Sequence, residues 1–278
     1  MNSRVEDILG ELRRLSHNIE DYPEGIVLPI DKPYRWTSAD VIRKIKWAAC
    51  RHFGKKKLKV GHAGTLDPLA TGILLVCIGP ATKKAEDLQK SAKSYLAGVS
   101  FGATTPSYDL EKDIDRHFPC EHIDRELIEK TLPSFIGVQE QIAPLFSAKS
   151  VEGVRVYELA RQRYKRGLPL EDTGIIQASK IEIYGLKLLD FSLKSFEKPD
   201  YADGRIKVAD ISGERLPTAL LQVDCSKGTY IRALARDLGE AVGSGAFLSS
   251  LRRTANGGFD ISESLTLDQA LALFDTNN

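Results

Sequence analysis

The sequence has few of the residues that build metal centres, disulfide frameworks and membrane spans. Its 278 residues include four cysteines and five histidines. The cysteines lie far apart without a C-x-x-C pair, and the histidines do not cluster, which argues against a zinc site or a disulfide scaffold. No stretch approaches the ~20 apolar residues of a bilayer span, and the N-terminus lacks the apolar run of a secretory signal. We therefore expect a cytoplasmic protein.

Several common catalytic motifs are also absent. The chain has no G-x-x-x-x-G-K-[ST] phosphate loop, no H-E-x-x-H and no G-x-S-x-G. Net charge is only +1, yet residues 43–59 contain eight Lys or Arg and no acid, whereas residues 109–129 are conspicuously acidic. The basic segment is either the solvated face of a helix or a guide for a polyanion.

The hydrophobic pattern predicts an α+β fold, because strand pairs and helices follow one another without a regular βαβ alternation. Helices are predicted at residues 3–15, 37–53, 81–89, 123–132, 156–163, 229–242 and 266–274. Strands are predicted at residues 25–33, 57–61, 73–78, 94–101, 175–193, 220–225 and 248–254. Residues 139–156 are predicted to be irregular, and residues 196–215 to form a hairpin or an insertion.

The segment Gly61–Gly72, which we call the glycine turn, reads G-H-A-G-T-L-D-P-L-A-T-G. It has a single carboxylate, Asp67, and the following Pro68 restricts the backbone of that residue to extended geometry. Such a carboxylate is a nucleophile, a general base, a paired structural charge or an ordinary surface Asp-Pro turn. As a nucleophile it needs a cation to keep it ionised, since a nearby arginine lowers an aspartate pKa by ~1 to 3 units. Arg232, at the start of a predicted helix, is the expected partner.

Further segments place the glycine turn in a larger pattern. It is preceded by D-K-P-x-x-W-T-S (Asp31 to Ser38) and followed by C-S-K-G-T-Y-I-R-A-L-A-R-D-L-G (Cys225 to Gly239). F-G-A-T-T-P-S-Y-D (Phe101 to Asp109) and P-L-F-S-A (Pro144 to Ala148) lie between them. This ordered set resembles the TruB family of tRNA pseudouridine synthases, over roughly residues 25–253.

The resemblance implies isomerisation of uridine 55 in the T-loop of tRNA, without metal or cofactor. Asp67 matches the family's catalytic aspartate, which adds to the sugar or base or assists formation of a glycal intermediate. Arg232 matches the arginine paired with it, within hydrogen-bond reach, and Tyr95 matches the tyrosine that stacks on the target base. The residues that match the lining of the uridine pocket are His62, Tyr230 and Leu251. Taken singly, these side chains have ordinary structural alternatives: Tyr95 and Tyr230 as core aromatics, His62 as a turn histidine, Leu251 as a core leucine and Arg232 as a helix-surface cation.

The resemblance also implies a pseudouridine-synthase-like α+β fold, with a mixed, largely antiparallel sheet flanked by helices. Residues 25–278 are the expected catalytic domain, with a possible insertion near 196–215, after a helical extension at residues 1–24. The PUA-type RNA-binding domain of many bacterial members is expected to be absent. The expected partner is the T-arm of tRNA, with no membrane and no obligatory protein partner, and the chain is expected to be a monomer.

Some alternatives stay open at this point. Lys32 either contacts Asp31 or phosphate or is a solvated lysine, and basic residues in 43–59 and 155–166 are expected to meet the tRNA backbone, which would make binding salt-dependent. The same chemistry could act on another RNA within a guide-RNA complex. A non-enzymatic RNA-binding or tRNA-folding protein is the third hypothesis.

Overall fold

The protein was analysed as a computed structural model, which describes residues 15–144, 146, 150–151, 154–155, 177–199 and 206–275. The chain divides into two compact units. The first unit contains the chain up to Tyr95 and from Arg252 onward, and the second unit contains Leu96–Leu251. The helices predicted at residues 3–15 and 156–163 lie outside the described residues, apart from Leu15. The assignment of residues 1–24 as an extension and 25–278 as one catalytic domain stays a prediction.

Strands and helices occur in irregular succession along the described chain. The strands are β1 (Ile26–Lys32), β2 (Val60–Ala63), β3 (Ala70–Ile78), β4 (Lys93–Phe101), β5 (Ala103–Thr104), β6 (Arg116–His117), β7 (Gly137–Gln141), β8 (Ser150–Val151), β9 (Val154–Arg155), β10 (Ser179–Ser195), β11 (Arg215–Cys225), β12 (Ala246–Asn256), β13 (Phe259–Asp260) and β14 (Leu265–Thr266). The α-helices are α1 (Ser38–His52), α2 (Ala85–Lys90), α3 (Arg125–Thr131), α4 (Ile231–Ala241) and α5 (Leu267–Ala272). Short 3-10 helices cover Ile19–Asp21, Gly79–Lys84, Leu132–Phe135 and Ile261–Glu263.

Strand β3 is the centre of the first unit. Its residues Ile73–Ile78 are fully buried, as expected for the continuous apolar run at that position. It pairs antiparallel with β1, from Ile26 opposite Ile78 to Lys32 opposite Gly72, and antiparallel with β2. Strand β14 runs parallel to β1. The β2–β3 hairpin thereby holds the glycine turn at one end of a buried strand.

Helix α1 begins and ends where local signals predict. Thr37 and Asp40 form a capping box, and Gly54 with φ of 58° follows the C-cap. Val41, Ile45 and Ala49 face the interior, while the basic residues of this helix lie on its outer face. In the part of the chain that the structure describes, no helix combines the length and apolarity needed to cross a membrane.

The second unit is built on a long antiparallel hairpin of β10 and β11, paired from Ile183 opposite Cys225 to Ser195 opposite Arg215. Strand β7 pairs antiparallel with β10 at the edge, and the residues of β12 and β4 in this unit continue the sheet beyond β11. The mixed, largely antiparallel sheet with flanking helices confirms the predicted α+β class.

The structure corrects some predicted boundaries. Strand β2 begins at Val60 rather than residue 57, because its pairing with β3 starts at Val60 opposite Ile78, the last residue of β3. Strand β7 lies partly in the segment predicted to be irregular, since G-V-Q-E-Q has no apolar face toward the interior: Val138 is exposed and Gln141 is buried. Residues 81–89 begin as a 3-10 turn that starts before Pro80. Phe196 and Glu214 close the connection between β10 and β11 with a backbone hydrogen bond of 3.1 Å, as expected for a hairpin.

Gly72 is the one position of the glycine turn that permits no side chain. Its φ is +100°, and a Cβ atom there would lie 2.1 Å from the carbonyl oxygen of Arg253. Gly137 has nearly the same φ, +102°, but within the described residues no atom lies within 4 Å of the position of an added Cβ.

Gly137→Ala should therefore lower the free energy of unfolding only by the backbone strain, about 1 to 2 kcal/mol. Gly72→Ala should cost about 4 kcal/mol or more, because a backbone clash is added. Urea unfolding of both variants measures the difference, and equal losses would contradict the close approach.

Candidate active site

Asp67 lies in the connection between β2 and β3, where the sequence places it. The side chain is half-buried, and its backbone carbonyl accepts a hydrogen bond of 3.1 Å from the amide of Ala70. This bond closes a tight turn directly after the carboxylate. Asp67 is thus presented at the tip of a hairpin whose strands belong to the buried sheet of the first unit.

The backbone of the glycine turn is held by a buried arginine. Arg253 on β12 is 2% exposed and donates hydrogen bonds to the carbonyl oxygens of Ile73 (2.7 Å) and Gly64 (3.1 Å). Its Nη1 lies 3.5 Å from the carbonyl oxygen of Thr65. A charged donor inside the protein makes stronger hydrogen bonds than a neutral one, so this contact fixes the conformation of the turn before Asp67.

Two neutral polar side chains complete the support. The Ser38 hydroxyl, at the first turn of α1, donates to the carbonyl oxygen of Leu66 (3.1 Å) and accepts from the amide of Leu66 (3.0 Å). The Asn256 side chain, fully buried on β12, donates to the carbonyl oxygen of Ala63 (3.2 Å). Ser38 lies in a predicted helix and Asn256 lies two residues beyond a predicted strand, so no sequence pattern marks either residue as a support. Their function as supports follows only from the fold.

Lys32 is a buried cation next to the glycine turn. It is fully buried, and its Nζ donates to the carbonyl oxygens of Pro33 (3.0 Å), Trp36 and Pro68 (3.2 Å). The solvated-lysine alternative is therefore wrong. Burial lowers the pKa of Lys32 to about 8, and the negative charge of Asp67 opposes that shift. The Lys32 ammonium and the Asp67 carboxylate therefore attract each other within the first unit.

The buried charge of Lys32 should make folding pH-dependent. The folded pKa of about 8 lies below the unfolded value of 10.5, so the unfolded chain binds more protons between these two pH values. Stability should therefore rise with pH across that window, by about 3 kcal/mol in total. Urea unfolding at several pH values should show the rise in the wild type and lose it in Lys32→Met. The exposed Lys44→Met is the control, and an unchanged pH slope in Lys32→Met would contradict the assignment.

Asp31 fixes the other end of the glycine turn. Its Oδ1 accepts a hydrogen bond of 3.0 Å from the amide of Gly72, and its Oδ2 accepts one of 2.7 Å from Nη2 of Arg252. The adjacent residues Asp31 and Lys32 therefore anchor different parts of the same turn. This explains physically why the D-K-P segment accompanies the glycine turn.

His62 and Tyr95 are the other candidate residues of the first unit. His62 lies on β2, half-buried, and its Nδ1 has no hydrogen-bond partner among the described residues. Burial, and secondly the charge of Arg253, hold the pKa of His62 below its ordinary value, so the imidazole is neutral at neutral pH. Tyr95 lies near the start of β4, as predicted, and is 8% exposed.

Arg232 is buried at the start of α4 in the second unit. It is 4% exposed and donates hydrogen bonds of 3.1 Å to the carbonyl oxygens of Ser107 and Phe146. Its Nε lies 3.7 Å from Oδ2 of Asp109, which is 5% exposed. The alternative that Arg232 is a helix-surface cation is therefore wrong. The structure gives it a buried acidic partner that sequence reasoning missed.

Asp109 is held in turn by its neighbours. Its Oδ1 accepts hydrogen bonds from the hydroxyl of Ser107 (2.6 Å) and the amide of Glu111 (2.9 Å). Ser107 and Asp109 lie at the end of the F-G-A-T-T-P-S-Y-D segment. This segment contributed to the family resemblance, and no function was assigned to Asp109 from the sequence. The segment thus places the buried, hydrogen-bonded carboxylate of Asp109 beside the guanidinium of Arg232.

Tyr230 and Leu251 also belong to the second unit. Tyr230 is half-buried at the N-cap of α4, where its amide donates to Oε1 of Gln141 (2.8 Å) and its carbonyl oxygen accepts from Nε2 of Gln141 (3.2 Å). Leu251 is half-buried on β12.

The six candidate residues divide between the two units. The first unit contains His62, Asp67 and Tyr95, and the second contains Tyr230, Arg232 and Leu251. The expected pairing of Asp67 with Arg232 stays a prediction. Within the described ranges no three His, Cys, Asp or Glu side chains form a metal-binding group.

Comparison with known proteins decides the family. Residues 51–231 match the TruB family pseudouridylate synthase (N terminal domain), and residues 232–277 match the tRNA pseudouridylate synthase B C-terminal domain. The chain belongs to the TruB family of pseudouridylate synthases. Asp67 and the whole glycine turn lie inside the first matched segment, Arg253 and Asn256 lie inside the second, and Asp31, Lys32 and Ser38 precede both.

Individual relatives cover most of this TruB chain. It is 46% identical over 248 residues to tRNA pseudouridine synthase B of Phocaeicola vulgatus, across 89% of this chain and 92% of that protein. It is 47% identical over 237 residues to tRNA pseudouridine synthase B of Bacteroides thetaiotaomicron, across 85% and 88%. Among solved structures, a chain of a Cbf5-Nop10-Gar1 complex matches with a TM-score of 0.58 and 25% identity. That match covers 90% of this chain and 54% of the solved chain.

Proposed function

We propose that this TruB family protein isomerises uridine 55 in the T-loop of tRNA to pseudouridine. The relatives named tRNA pseudouridine synthase B, which this chain covers for about nine-tenths of their length, support the reaction and its tRNA substrate. The observation that carries the proposal is the glycine turn. A single half-buried carboxylate, Asp67, stands on a turn whose carbonyl groups are bound by buried side chains. Such fixed positioning is what a catalytic carboxylate requires.

The reaction breaks the bond between N1 of the uracil and C1′ of the ribose and forms a bond from C1′ to C5. The proton that leaves C5 is balanced by the proton that N1 gains, so no oxidant or other co-reactant is needed. Asp67 acts in its ionised form, either by adding to the sugar or the base or by accepting a proton from the sugar to give a glycal.

The other candidate residues have supporting functions in the proposal. Arg232 supplies the cation that pairs with Asp67, and Tyr95 stacks on the target base, a contact worth ~1 to 3 kcal/mol. An enzyme that acts on a base must first take it out of the stack. The residues proposed to line the pocket of the flipped uridine are His62, Tyr230 and Leu251. The proposed enzyme is a cytoplasmic monomer that needs no metal, cofactor or obligatory protein partner.

One experiment tests the function directly. The pure protein is incubated with an unmodified tRNA transcript, without added metal or guide RNA, and pseudouridine is mapped along the transcript. We expect conversion at the T-loop uridine and none in a matched transcript in which that uridine is cytidine. Binding without conversion would favour a tRNA-folding protein, and conversion only with a guide RNA and further proteins would favour a guided complex. Either result would overturn the proposal.

A further inference from the structure

A groove lined by lysines lies beside the start of β2 in the first unit. It is lined by four exposed lysines, Lys46, Lys56, Lys57 and Lys59, together with Leu58, Val60, Gly61 and Thr82. The cavity has a volume of about 690 Å³. We call it the lysine groove. No carboxylate is among the residues that line it.

The lysines of this groove differ from their neighbours in ion pairing. Lys55 pairs with Glu20 at 2.9 Å, and Lys84 pairs with Glu24 at 2.5 Å. Within the described residues, none of the four groove lysines forms an ion pair with a carboxylate. Four ammonium groups around one depression repel each other, so a polyanion in the groove relieves that repulsion. Lysine suits this task because its compact charge and rotatable donors bind phosphate without demanding one geometry.

The lysine groove is also close to the candidate catalytic carboxylate along the chain. Gly61 belongs to the groove and is the first residue of the glycine turn, six residues before Asp67. Six residues span at most about 20 Å, even when fully extended. A nucleic acid strand in a helix rises about 3.4 Å per nucleotide, so this distance corresponds to about six nucleotides. An RNA that presents a uridine to Asp67 therefore has phosphates within reach of the groove.

We propose that the lysine groove binds phosphates of the tRNA backbone and thereby holds the substrate whose uridine reaches Asp67. The proposal rests on the proposed function for the identity of the RNA. The groove contributes affinity and salt dependence, because each phosphate that a lysine neutralises releases a counterion. It does not take part in the chemical step.

The test compares a groove variant with a matched control. The groove variant replaces Lys46, Lys56, Lys57 and Lys59 by alanine, and the control replaces the ion-paired Lys84 and Lys90 by alanine. The affinity for an unmodified tRNA transcript is measured over a series of salt concentrations. We expect the groove variant to bind about 100-fold more weakly at low salt, with a slope of log affinity against log salt smaller by about 3. The control should behave as the wild type.

Two further measurements make the result decisive. The single-turnover rate of pseudouridine formation with saturating enzyme should be the same in the groove variant and the wild type, and replacement of the four lysines by arginine should restore the salt slope. An unchanged slope in the groove variant, or an equal loss in the control, would overturn the proposal. If the wild type formed no pseudouridine but the slopes still differed, the proposed function would fail and the groove would stand. Normal pseudouridine formation with unchanged slopes would support the proposed function and overturn the groove proposal.

Discussion

Asp67→Asn should abolish pseudouridine formation on an unmodified tRNA transcript, by at least about 10⁴-fold, while tRNA binding is largely kept. The substitution removes one negative charge and keeps the size of the side chain. The supports of the glycine turn bind its backbone carbonyl groups, which the substitution does not change, so these hydrogen bonds remain in place. The loss should therefore fall on the chemical step. Single-turnover assays with saturating enzyme separate that step from binding.

The control for Asp67→Asn is a substitution at another half-buried aspartate of the first unit. Asp31→Asn removes the charge that pairs with Arg252 and alters the far end of the glycine turn, but leaves the Asp67 side chain intact. It should lower stability and slow the reaction far less than 10⁴-fold. If Asp67→Asn still converted uridine at a substantial rate, the assignment of the catalytic carboxylate would be wrong.

Arg232→Met should destabilise the protein by about 3 to 5 kcal/mol and also reduce pseudouridine formation by at least about 100-fold. The physical reason for the instability is the partner that the substitution leaves behind. Asp109 is 5% exposed, and the substitution takes away the guanidinium whose Nε lies 3.7 Å from its carboxylate. Removing one member of a buried ion pair is costly for this reason. Urea unfolding monitored by circular dichroism measures the loss.

The double variant Arg232→Met with Asp109→Asn separates the two effects. Removing the carboxylate charge should recover part of the lost stability, whereas activity should stay low because the proposed partner of Asp67 is still absent. Arg236→Met is a matched control, since Arg236 lies one turn further along α4, pairs with its neighbour Asp237 and is more exposed than Arg232. This substitution should lower the free energy of unfolding by about 1 kcal/mol. If the double variant were no more stable than Arg232→Met, Asp109 would not be the partner. Full activity in the double variant would make the function of Arg232 purely structural.

The features predicted correctly from the sequence depend on residues close together in the chain. The capping box of Thr37 and Asp40 involves residues three positions apart, and the buried run of β3 is visible as consecutive apolar residues. The position of Asp67 between two strands follows from such local signals. The ordered motifs added candidate residues that no single motif would justify.

The features that the sequence analysis missed depend on contacts between distant residues. Arg232 and Ser107 are 125 residues apart, and the buried state of Asp109 cannot be read from a segment whose other acidic residues are exposed or half-buried. Lys32 looks like any strand-end lysine, and only the fold surrounds it with carbonyl groups. Strand β7 was missed because it is polar and lacks an alternating apolar pattern. Its pairing with β10, which is distant in the chain, makes it a strand.

The anchoring of the glycine turn by Arg253 sets an order of events during synthesis on the ribosome. The turn is made early, but the guanidinium that binds the carbonyl oxygen of Gly64 comes 189 residues later. At about 5 to 20 residues per second, that interval lasts about 10 to 40 s. During this time the nascent hairpin carries Asp67 without its final support. A chain released before Arg253 has been added would have the proposed catalytic carboxylate without the guanidinium that binds the carbonyl oxygens of Gly64 and Ile73.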